Sequence, residues 1–376
     1  MTLLKSFLLS ITLVIALNVS SQNSTLPAKS DTANYPYWIE MMQDESVNFY
    51  DVQRAFNIYW EGREITKGSG WKPFKRWEWW MENHINPDGS RKPSDQVYNE
   101  YMKYIKQHPD ALKSEADWTN LGPFNIPGGD KGYKGLGRVN AVAFHPTNPD
   151  IVYIGAPAGG MWEYDASQDT WTSETDVLPV LGVSAIVVDW NNPDNIFIGS
   201  GDRDGGDSQG MGVFKSSDAG QTWELWNNGM GNVRVGRMIQ HPADYNTIYA
   251  ATTGGVFKTV DGGANWVQTI SGIFKDIVFK PGNPDIIYAV KGGSLYKSVN
   301  AGEDWEELSN GIAGGDRAAI AVTEDNPNVI YLIQTQNSSF KGLYKSTDEG
   351  ASFTEQSTSP NIMSWGCDGG DRKSVV

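Results

Sequence analysis

The sequence predicts an all-β protein built from repeated four-stranded sheets, and an eight-residue pattern in its C-terminal half carries that prediction. The pattern has Ser or Thr first, Asp or Asn third, Gly fifth and an aromatic residue last. Its four copies are SSDAGQTW (Ser216 to Trp223), TVDGGANW (Thr259 to Trp266), SVNAGEDW (Ser298 to Trp305) and STDEGASF (Ser346 to Phe353). The closing aromatic residues lie 43, 39 and 48 residues apart. A period of about 40 to 50 residues is typical of the blades of a β-propeller.

Each copy has the chemistry of a tight turn between two strands. The residue in the third position accepts hydrogen bonds from nearby backbone amides, and the Gly takes a positive φ that would strain other residues. The closing aromatic residue starts the next strand and packs between neighbouring sheets. We therefore interpret the third-position residues as structural; they are Asp218, Asp261, Asn300 and Asp348.

A second repeat precedes the turns and supplies the other strands. An apolar strand, a turn and a second strand recur in AVAFHPTNPDIVYIG (Ala141 to Gly155), AIVVDWNNPDNIFIG (Ala185 to Gly199), RMIQHPADYNTIYAA (Arg237 to Ala251), DIVFKPGNPDIIYAV (Asp276 to Val290) and AIAVTEDNPNVIYLI (Ala319 to Ile333). Asn-Pro-Asp is expected to interrupt a strand, because Pro lacks an amide donor and Asn and Asp favour turns. With a third strand such as GVFKS (Gly212 to Ser216), each blade has four antiparallel strands. The first blade carries a degenerate turn at Tyr164 to Trp171, with Ala166 and Gln168 in place of the acid and the Gly.

The eight-residue pattern resembles the Asp box, or BNR repeat, of bacterial sialidases, xyloglucanases and sortilin. The resemblance covers roughly residues 118 to 370 and implies a β-propeller. Such propellers close with six or more blades, whereas five repeats are visible, so we expect an incomplete ring. Its open edges are predicted to be the first strand of the first blade and the last strand of the fifth.

The two ends of the chain differ from the repeats. Lys5, an apolar run from Phe7 to Leu17 and the small residues Val19-Ser20-Ser21 predict a signal peptide over residues 1–21, and hence a secreted or cell-surface protein. The run is too short for a membrane anchor. Residues 371–376 match the translation of a common sequencing adapter, so we expect a non-native tail and a natural chain that continues past Gly370.

Residues 22–116 form an aromatic-rich leader before the blades, which are assigned to residues 117–370. Apolar residues recur at helical spacing in two stretches, Phe49 to Trp60 and Val97 to Ile105. The aromatic stretch from Trp71 to Gly89 either forms an exposed platform for glycans or fills the core of a helical cap, and we favour the cap. Similar leaders precede Asp-box propellers in large exported proteins of Bacteroidetes-like bacteria.

Composition narrows the classes of partner. The formal net charge of −15 disfavours nucleic acid and anionic membranes, since both select for Lys and Arg. The single Cys, Cys367, allows no disulfide framework, and the four His residues show no metal-ligand spacing. The balance of 41 Gly and 15 Trp fits an exported all-β scaffold.

Candidate ligand-binding residues cluster opposite the repeated turns, where the loops between second and third strands are expected. The loop of the second blade holds Asp202, Asp204 and Asp207 among Gly residues, a density that suits Ca²⁺. A solvated acidic loop is the simpler alternative, and no cofactor is certain. Arg138 and Arg234 precede innermost strands in the same register, so they face the channel mouth or bridge to an adjacent blade.

The resemblance to xyloglucanases implies a catalytic base in the first-blade loop, in the sequence Asp-Val-Gly-Gly. The matching residues here are Pro157-Ala158-Gly159-Gly160, so Pro157 replaces the acid. A glycosidase needs two carboxylates across the scissile bond, and the sialidase motifs are also missing from the sequence. We therefore assign no catalytic residue and expect an exported propeller that binds glycan or protein without catalysis. The alternatives are a xyloglucanase- or sialidase-like glycoside hydrolase with catalytic carboxylates partly in missing blades, and a sortilin-like peptide receptor. For the hydrolase, the candidate acids in this sequence are Asp202, Asp204, Asp207 and Asp316.

Overall fold

The protein contains five four-stranded antiparallel sheets and a small helical unit, as predicted for an incomplete β-propeller preceded by a helical segment. The computed structural model describes residues 37–44, 46–66, 69–93, 95–109, 137–204, 208–337 and 339–362. The predicted signal peptide, the predicted non-native tail and Cys367 lie outside these residues. In the described part, no helix is long and apolar enough to cross a membrane.

Each sheet is one blade whose strands pair in chain order. The first two blades comprise β1 (Ala141–Phe144), β2 (Ile151–Ala156), β3 (Gly160–Asp165), β4 (Thr170–Ser173), β5 (Val183–Val188), β6 (Ile196–Ser200), β7 (Val213–Ser216) and β8 (Glu224–Leu225). The next two comprise β9 (Val235–Gln240), β10 (Ile248–Thr252), β11 (Gly255–Thr259), β12 (Val267–Ser271), β13 (Phe274–Lys280), β14 (Asn283–Lys291), β15 (Ser294–Ser298) and β16 (Glu306–Leu308). The fifth comprises β17 (Arg317–Val322), β18 (Ile330–Gln336), β19 (Ser339–Ser346) and β20 (Thr354–Ser357).

The blades pack face to face around a channel. The first strands of consecutive blades contact each other, so β1, β5, β9, β13 and β17 line the channel. The second strand of each blade also packs on the first strand of the next blade. Four hydrophobic clusters fill the seams between neighbouring blades, because each sheet must bury both of its faces.

The repeated turns and the turns between first and second strands lie on the same rim, which we call the turn rim. The amide of the fourth residue of each repeated turn donates to a carbonyl of the first turn of its own blade; the pairs are Ala219 to Asp194, Gly262 to Asn246, Ala301 to Asp285 and Glu349 to Asn328. The loops between second and third strands therefore lie on the opposite rim, which we call the loop rim. The first strands also begin there.

The side chains of a repeated turn satisfy one another and the backbone. In the second blade, the buried Ser216 hydroxyl donates to Asp218 Oδ1 at 2.8 Å and accepts the amide of Gly220 at 2.8 Å. Asp218 also accepts the amide and the hydroxyl of Thr222, at 2.8 and 2.6 Å. Gly220 has a φ of 94°, which an L side chain would adopt only with strain. The other three turns repeat this arrangement.

In the repeated turn of the fourth blade, the donor and the acceptor of one side-chain hydrogen bond are exchanged. In the third blade, Asp261 Oδ2 accepts a hydrogen bond of 2.8 Å from the side chain of Asn265. In the fourth, Asn300 instead donates to Asp304 at 2.9 Å. The acid and the amide have exchanged places, which keeps one carboxylate in the pair. Two carboxylates would repel each other at this distance.

Three details differ from the sequence predictions. In the fourth blade Asn-Pro-Asp forms the start of β14, which begins at Asn283, rather than a turn outside the strand. The pairing of β13 with β14 shifts register nearby, between Phe279 and Lys280. In the degenerate turn, Asp165 takes the acid's role by accepting the amide and hydroxyl of Ser167. The prediction of open strand edges needs correction, since every blade has a free first and fourth strand within its sheet. What the end blades leave uncovered is a sheet face.

The leader folds into four helices, of which the first three pack around an aromatic core, whereas Tyr98 of the fourth packs against the cluster between the first two blades. They are α1 (Trp38–Gln43), α2 (Phe49–Trp60), α3 (Trp71–Met81) and α4 (Gln96–Gln107). Phe56 and Phe74 stack at 3.6 Å and Trp38 packs edge-on against both. The helical cap is thus the arrangement found, although Trp79 remains exposed. The sequence analysis did not predict α1.

A double-mutant cycle tests the reversed turn. Asn300→Asp places a second carboxylate against Asp304 and should lower the free energy of unfolding by about 0.5 to 1 kcal/mol. Adding Asp304→Asn recreates the Asp–Asn pair of the third blade and should restore most of the loss. Chemical denaturation of the four proteins measures this coupling. Equal, additive losses would show that the pair does not interact.

Acid should weaken the turns. Hydrogen bonds from Ser352 and Ser346 lower the pKa of Asp348 to about 2, and Thr222 and Asn265 likewise lower the pKa values of Asp218 and Asp261. A lowered folded-state pKa gives stability that is present above the unfolded pKa and lost as pH falls through the folded value. The melting temperature should therefore drop between about pH 4 and about pH 2. Asp348→Asn should flatten that drop, and an identical pH profile for the variant would contradict the assignment.

Candidate functional site

The loop rim beside the channel mouth brings together most of the candidate residues that the sequence suggested. The loop after β6 crosses this rim, and its residues Asp202 and Asp204 pair with arginines of the first and fifth blades. A Cβ atom added at Gly201 would lie 2.6 Å from the side chain of Arg234. The loop therefore approaches the third blade closely. Residues 205–207 lie outside the described residues, and Asp207 with them.

Hydrogen bonds fix the first part of the loop. The Ser184 hydroxyl donates to the carbonyl of Gly201 at 2.7 Å and accepts the amide of Arg203 at 3.1 Å. Asp202 Oδ1 accepts the amide of Asp204 at 2.9 Å and the side-chain amide of Asn140 at 3.1 Å. The backbone is therefore held from β5 and from the start of β1.

Two buried carboxylates in this loop pair with arginines from other blades. Asp202 is 1% exposed and accepts a hydrogen bond of 2.5 Å from Arg138 of the first blade. Asp204 is 8% exposed, pairs with Arg317 of the fifth blade and lies 3.6 Å from Arg203 Nε. A buried charge is tolerated only when it is paired. The loop thereby connects the first, second and fifth blades across the channel mouth.

Asp204 is ionised at neutral pH. Burial alone would raise its pKa, but the charges of Arg317 and Arg203 and the hydrogen bond from Arg317 outweigh burial, so its pKa lies below the ordinary value. A carboxyl with a lowered pKa cannot act as the general acid that protonates a leaving group. Asp204 can supply negative charge or accept hydrogen bonds from a ligand.

Arg234 and Lys275 meet the leader at this rim. The Arg234 guanidinium donates to the carbonyl of Gln43, the last residue of α1, and Lys275 Nζ lies 3.5 Å from the Gln43 side chain. Arg234 is buried and also holds Thr253 through backbone contacts. Of the two predicted arginines, Arg138 bridges to an adjacent blade, as one interpretation expected, whereas Arg234 contacts the helical leader. Neither contact excludes a role in ligand binding.

The predicted Ca²⁺ site stays a prediction. Among the described residues, no group of three or more His, Cys, Asp or Glu side chains could hold a metal ion. Asp202 and Asp204 both face guanidinium groups, which supply the positive charge that an ion would otherwise bring. Asp207 is the third predicted ligand, and it lies outside the described residues.

Other acids near the channel have structural partners. Asp316 accepts the Thr335 hydroxyl at 2.7 Å and the amide of Asn337 at 2.6 Å, which fixes the loop between β18 and β19. Asp276 forms an ion pair of 2.7 Å with Arg237 between the third and fourth blades. Pro157 lies between β2 and β3 on the loop rim, in the position where the resemblance placed a catalytic Asp.

A separate groove of about 480 Å³ lies on the turn rim between the third and fourth blades. Lys258, Asp261, Asn265, Thr269 and Glu303 contribute to its walls. Both carboxylate oxygens of Asp261 are occupied within its turn. We therefore take the loop rim, rather than this groove, as the candidate site.

Sequence reasoning missed Arg317, Arg203 and Lys275. Arg317 and Lys275 lie at or near the start of a first strand, one or two positions from the register of Arg138 and Arg234. A search for any cation within three residues of these starts would have found both. Arg203 lies inside the acidic loop, and only its neighbours Asp202 and Asp204 were considered.

Comparisons with known proteins agree on the fold and point to one enzyme class. No family model matches the chain. The chain is similar to xyloglucanase Xgh74A of Acetivibrio thermocellus, at 27% identity over 36% of this chain and 18% of the relative. It is also similar to a xyloglucanase of Hypocrea jecorina, at 28% identity over 36% of this chain and 18% of the relative. Among solved structures, an ancestral GH74 enzyme matches 58% of this chain and 31% of its own, with 19% identity and a TM-score of 0.50.

These similarities confirm the β-propeller and favour the glycoside hydrolase alternative over the noncatalytic scaffold. The chain spans about a fifth of the length of these curated relatives. The structural match has low identity and shows the fold alone. No comparison bears on the sortilin-like hypothesis, which stays a prediction.

The buried ion pair of Asp204 with Arg317 is expected to stabilise the fold. Arg317→Ala leaves the buried Asp204 with one partner fewer, so we expect the free energy of unfolding to fall by about 2 to 3 kcal/mol. The double variant Asp204→Asn with Arg317→Ala should lose less free energy of unfolding than the two single variants lose together. Arg54→Ala removes an exposed ion pair on α2 and should cost under about 1 kcal/mol. Additive losses at Asp204 and Arg317 in urea denaturation would contradict the pairing.

Proposed function

We propose that the protein is a glycan-acting propeller of the glycoside hydrolase type, with a β-glucan such as xyloglucan as its ligand. The similarity to two curated xyloglucanases is the observation that carries this proposal. The glycan lies across the loop rim, next to the loop that holds Asp202 and Asp204. The predicted signal peptide fits a protein that meets polysaccharides outside the cell.

The chemistry of the loop suits a sugar ligand. Sugar hydroxyls both donate and accept hydrogen bonds, and the rim offers ionised carboxylate oxygens beside guanidinium donors at Asp204, Arg203 and Arg317. The loop backbone is held by Ser184 and Asn140, so little order has to be gained on binding. Preorganised polar groups of this kind give orientation and specificity in ligand sites.

Cleavage would need a second, protonated carboxyl on the other side of the scissile bond. Asp204 supplies the ionised member of such a pair, and Asp207 on the same loop is the sequence candidate for the other. Asp202 is fully buried against Arg138 and holds the loop rather than facing a ligand. The roles of Asp202 and Asp204 follow from charge and burial, whereas that of Asp207 rests on the sequence alone.

A noncatalytic glycan-binding propeller is the second candidate. Pro157 occupies the position of the xyloglucanase base, and a general base must be a carboxylate within reach of the attacking water. Both described acids of the loop are also engaged by arginines. Binding and cleavage must therefore be measured separately.

Affinity electrophoresis in gels containing xyloglucan tests the proposal. The chain should be retarded, and Asp204→Asn should weaken binding about fivefold to tenfold, equivalent to about 1 to 1.4 kcal/mol. Asp150→Asn makes the same charge change at an exposed site on the turn rim and should bind normally. Failure of the unchanged chain to bind xyloglucan or a related β-glucan would contradict the proposal.

A reducing-end assay on the same proteins separates the two candidates. Release of reducing ends that is abolished by Asp207→Asn would support hydrolysis through this loop. Binding without release in every protein would support the noncatalytic candidate. Release that survives both Asp204→Asn and Asp207→Asn would place the chemistry elsewhere.

A further inference from the structure

Four of the five blades place a Lys of their third strand opposite an aromatic residue of their second strand. The pairs are Lys215 with Phe197, Lys258 with Tyr249, Lys297 with Tyr288 and Lys345 with Tyr331. Each ammonium lies 5.3 to 5.8 Å from the centre of the paired ring. Lys258 also donates to the carbonyl of Ala301 at 3.0 Å, and Lys297 to that of Glu349 at 3.1 Å. In these two seams, a positive charge therefore lies where one blade meets the repeated turn of the next.

The first blade has an acid in the Lys position. Glu163 of β3 lies opposite Tyr153 of β2. A second acid, Glu174, follows β4 and lies against the repeated turn of the second blade, since a Cβ atom added at Gly220 would lie 3.0 Å from Glu174 Oε2. The side chains that meet the matching Gly in two later seams are uncharged; they are Trp226 and Leu308. The seam between the first and second blades, which we call the first seam, thus has two carboxyl groups where later seams have a cation and an apolar group.

Within the described residues, no cation faces the two acids of the first seam. The sequence has no Lys or Arg from residue 139 to residue 202, which covers the first blade and the first two strands of the second. Lys215 lies over the rings on the side of the third blade. Helix α4 reaches the first seam through Tyr98, and its Glu100 and Lys103 form an exposed pair with each other. The charged groups that act on Tyr153 and Glu174 are all acidic; they are Glu163, Glu174 and Asp194.

The acids of the first seam favour a protonated state. Burial, and then the charge of Glu163, raises the pKa of Glu174 above its ordinary value of 4.5. Burial, followed by the charge of Glu163 and the hydrogen bond to it, also raises the pKa of Tyr153, so the Tyr153 hydroxyl keeps its proton and donates to Glu163. A raised folded-state pKa gives stability that is present below the unfolded pKa and lost as pH rises through the folded value. The first seam is therefore tighter in mild acid than at neutral pH.

The opposite end of the first seam is held independently of these acids. On the loop rim, Arg138 of the first blade donates to Asp202 of the second at 2.5 Å, and the side chain of Asn140 donates to the Ser184 hydroxyl at 2.9 Å. The two blades therefore stay joined at the loop rim when the turn-rim end of the seam loosens.

We propose that the first seam is a pH-dependent joint, closed when Glu163 or Glu174 is protonated and loosened at the turn rim when both are ionised. The joint lies away from the candidate glycan site and does not depend on the proposed function. It arises because an acid occupies the position that Lys occupies in the other blades.

Hydrogen–deuterium exchange of the full chain, corrected for the intrinsic pH dependence of amide exchange, tests the joint. A blade is stabilised by its neighbours, so a looser first seam should increase local unfolding of the first blade. The protection of β2 and β3 should fall about threefold or more between about pH 4.5 and about pH 7.5, the size expected for partly screened charges. The protection of β14 and β15, whose seam contains Lys297, should stay constant. The acids of the repeated turns remain ionised in this range, because their pKa values are lowered.

Two variants and a control identify the group responsible. Glu163→Gln removes one of the two charges and should abolish the fall in protection. Glu163→Lys introduces an ammonium beside Glu174, so the protection of β2 and β3 should rise with pH instead of falling. Glu324→Gln makes the matched charge change at an exposed position of the fifth blade and should leave the fall intact.

Three results would overturn the proposal. They are constant protection of β2 and β3 over this pH range, an equal fall in β14 and β15, and an undiminished fall in Glu163→Gln. The first two are measured on the unchanged protein, where the fourth blade is the internal reference, so they do not require any variant to fold.

Discussion

The repeated turn is the constraint on which the arrangement of blades depends. Its Ser or Thr, its acid and its Gly bond to one another, so the turn holds its shape without help from other blades. The left-handed conformation of Ala301 and Glu349 directs their carbonyls at the preceding blade. Those carbonyls receive the Tyr and Lys donors that join one blade to the next. The conformation of each turn thereby helps to set the distance between neighbouring sheets.

The loop rim, on the opposite side of the blades, carries loops that differ from one blade to the next. Because the turns fix one rim, the loops between second and third strands are free to differ, and in the described part of the chain the loop of the second blade carries buried acids across the rim. Its buried carboxylates reach Arg138 and Arg317 on either side. The channel mouth is consequently held by arginine–carboxylate ion pairs, whereas the turn rim is held by apolar seams, by the hydrogen bonds of the turns and by the ion pair of Lys280 with Glu349.

The fold could be predicted well from the sequence because the strand–turn–strand repeat occurs five times. Gly220 and Asp218 can be assigned from spacing, since a turn is decided by residues next to one another in the chain. The ion pairs could not be predicted in the same way. Arg317 lies more than a hundred residues from Asp204, and no local pattern distinguishes it from a surface arginine. The contact between Arg234 and Gln43 could not be predicted for the same reason. The helix α1 has six residues, which are too few to show helical periodicity. The sequence singled out the acidic loop and suggested an ion for it. In the described residues Asp202 and Asp204 pair with arginines, and both the ligand-binding role and the ion stay predictions.

We propose that the glycan lies on the loop rim and not on the turn rim. A crystal structure of the protein soaked with a xyloglucan oligosaccharide is the most direct test. We expect sugar density beside the loop at Asp204, with sugar hydroxyls within hydrogen-bonding distance of Arg203 or Arg317. Sugar bound in the turn-rim groove between Lys258 and Glu303, with the loop rim empty, would contradict it.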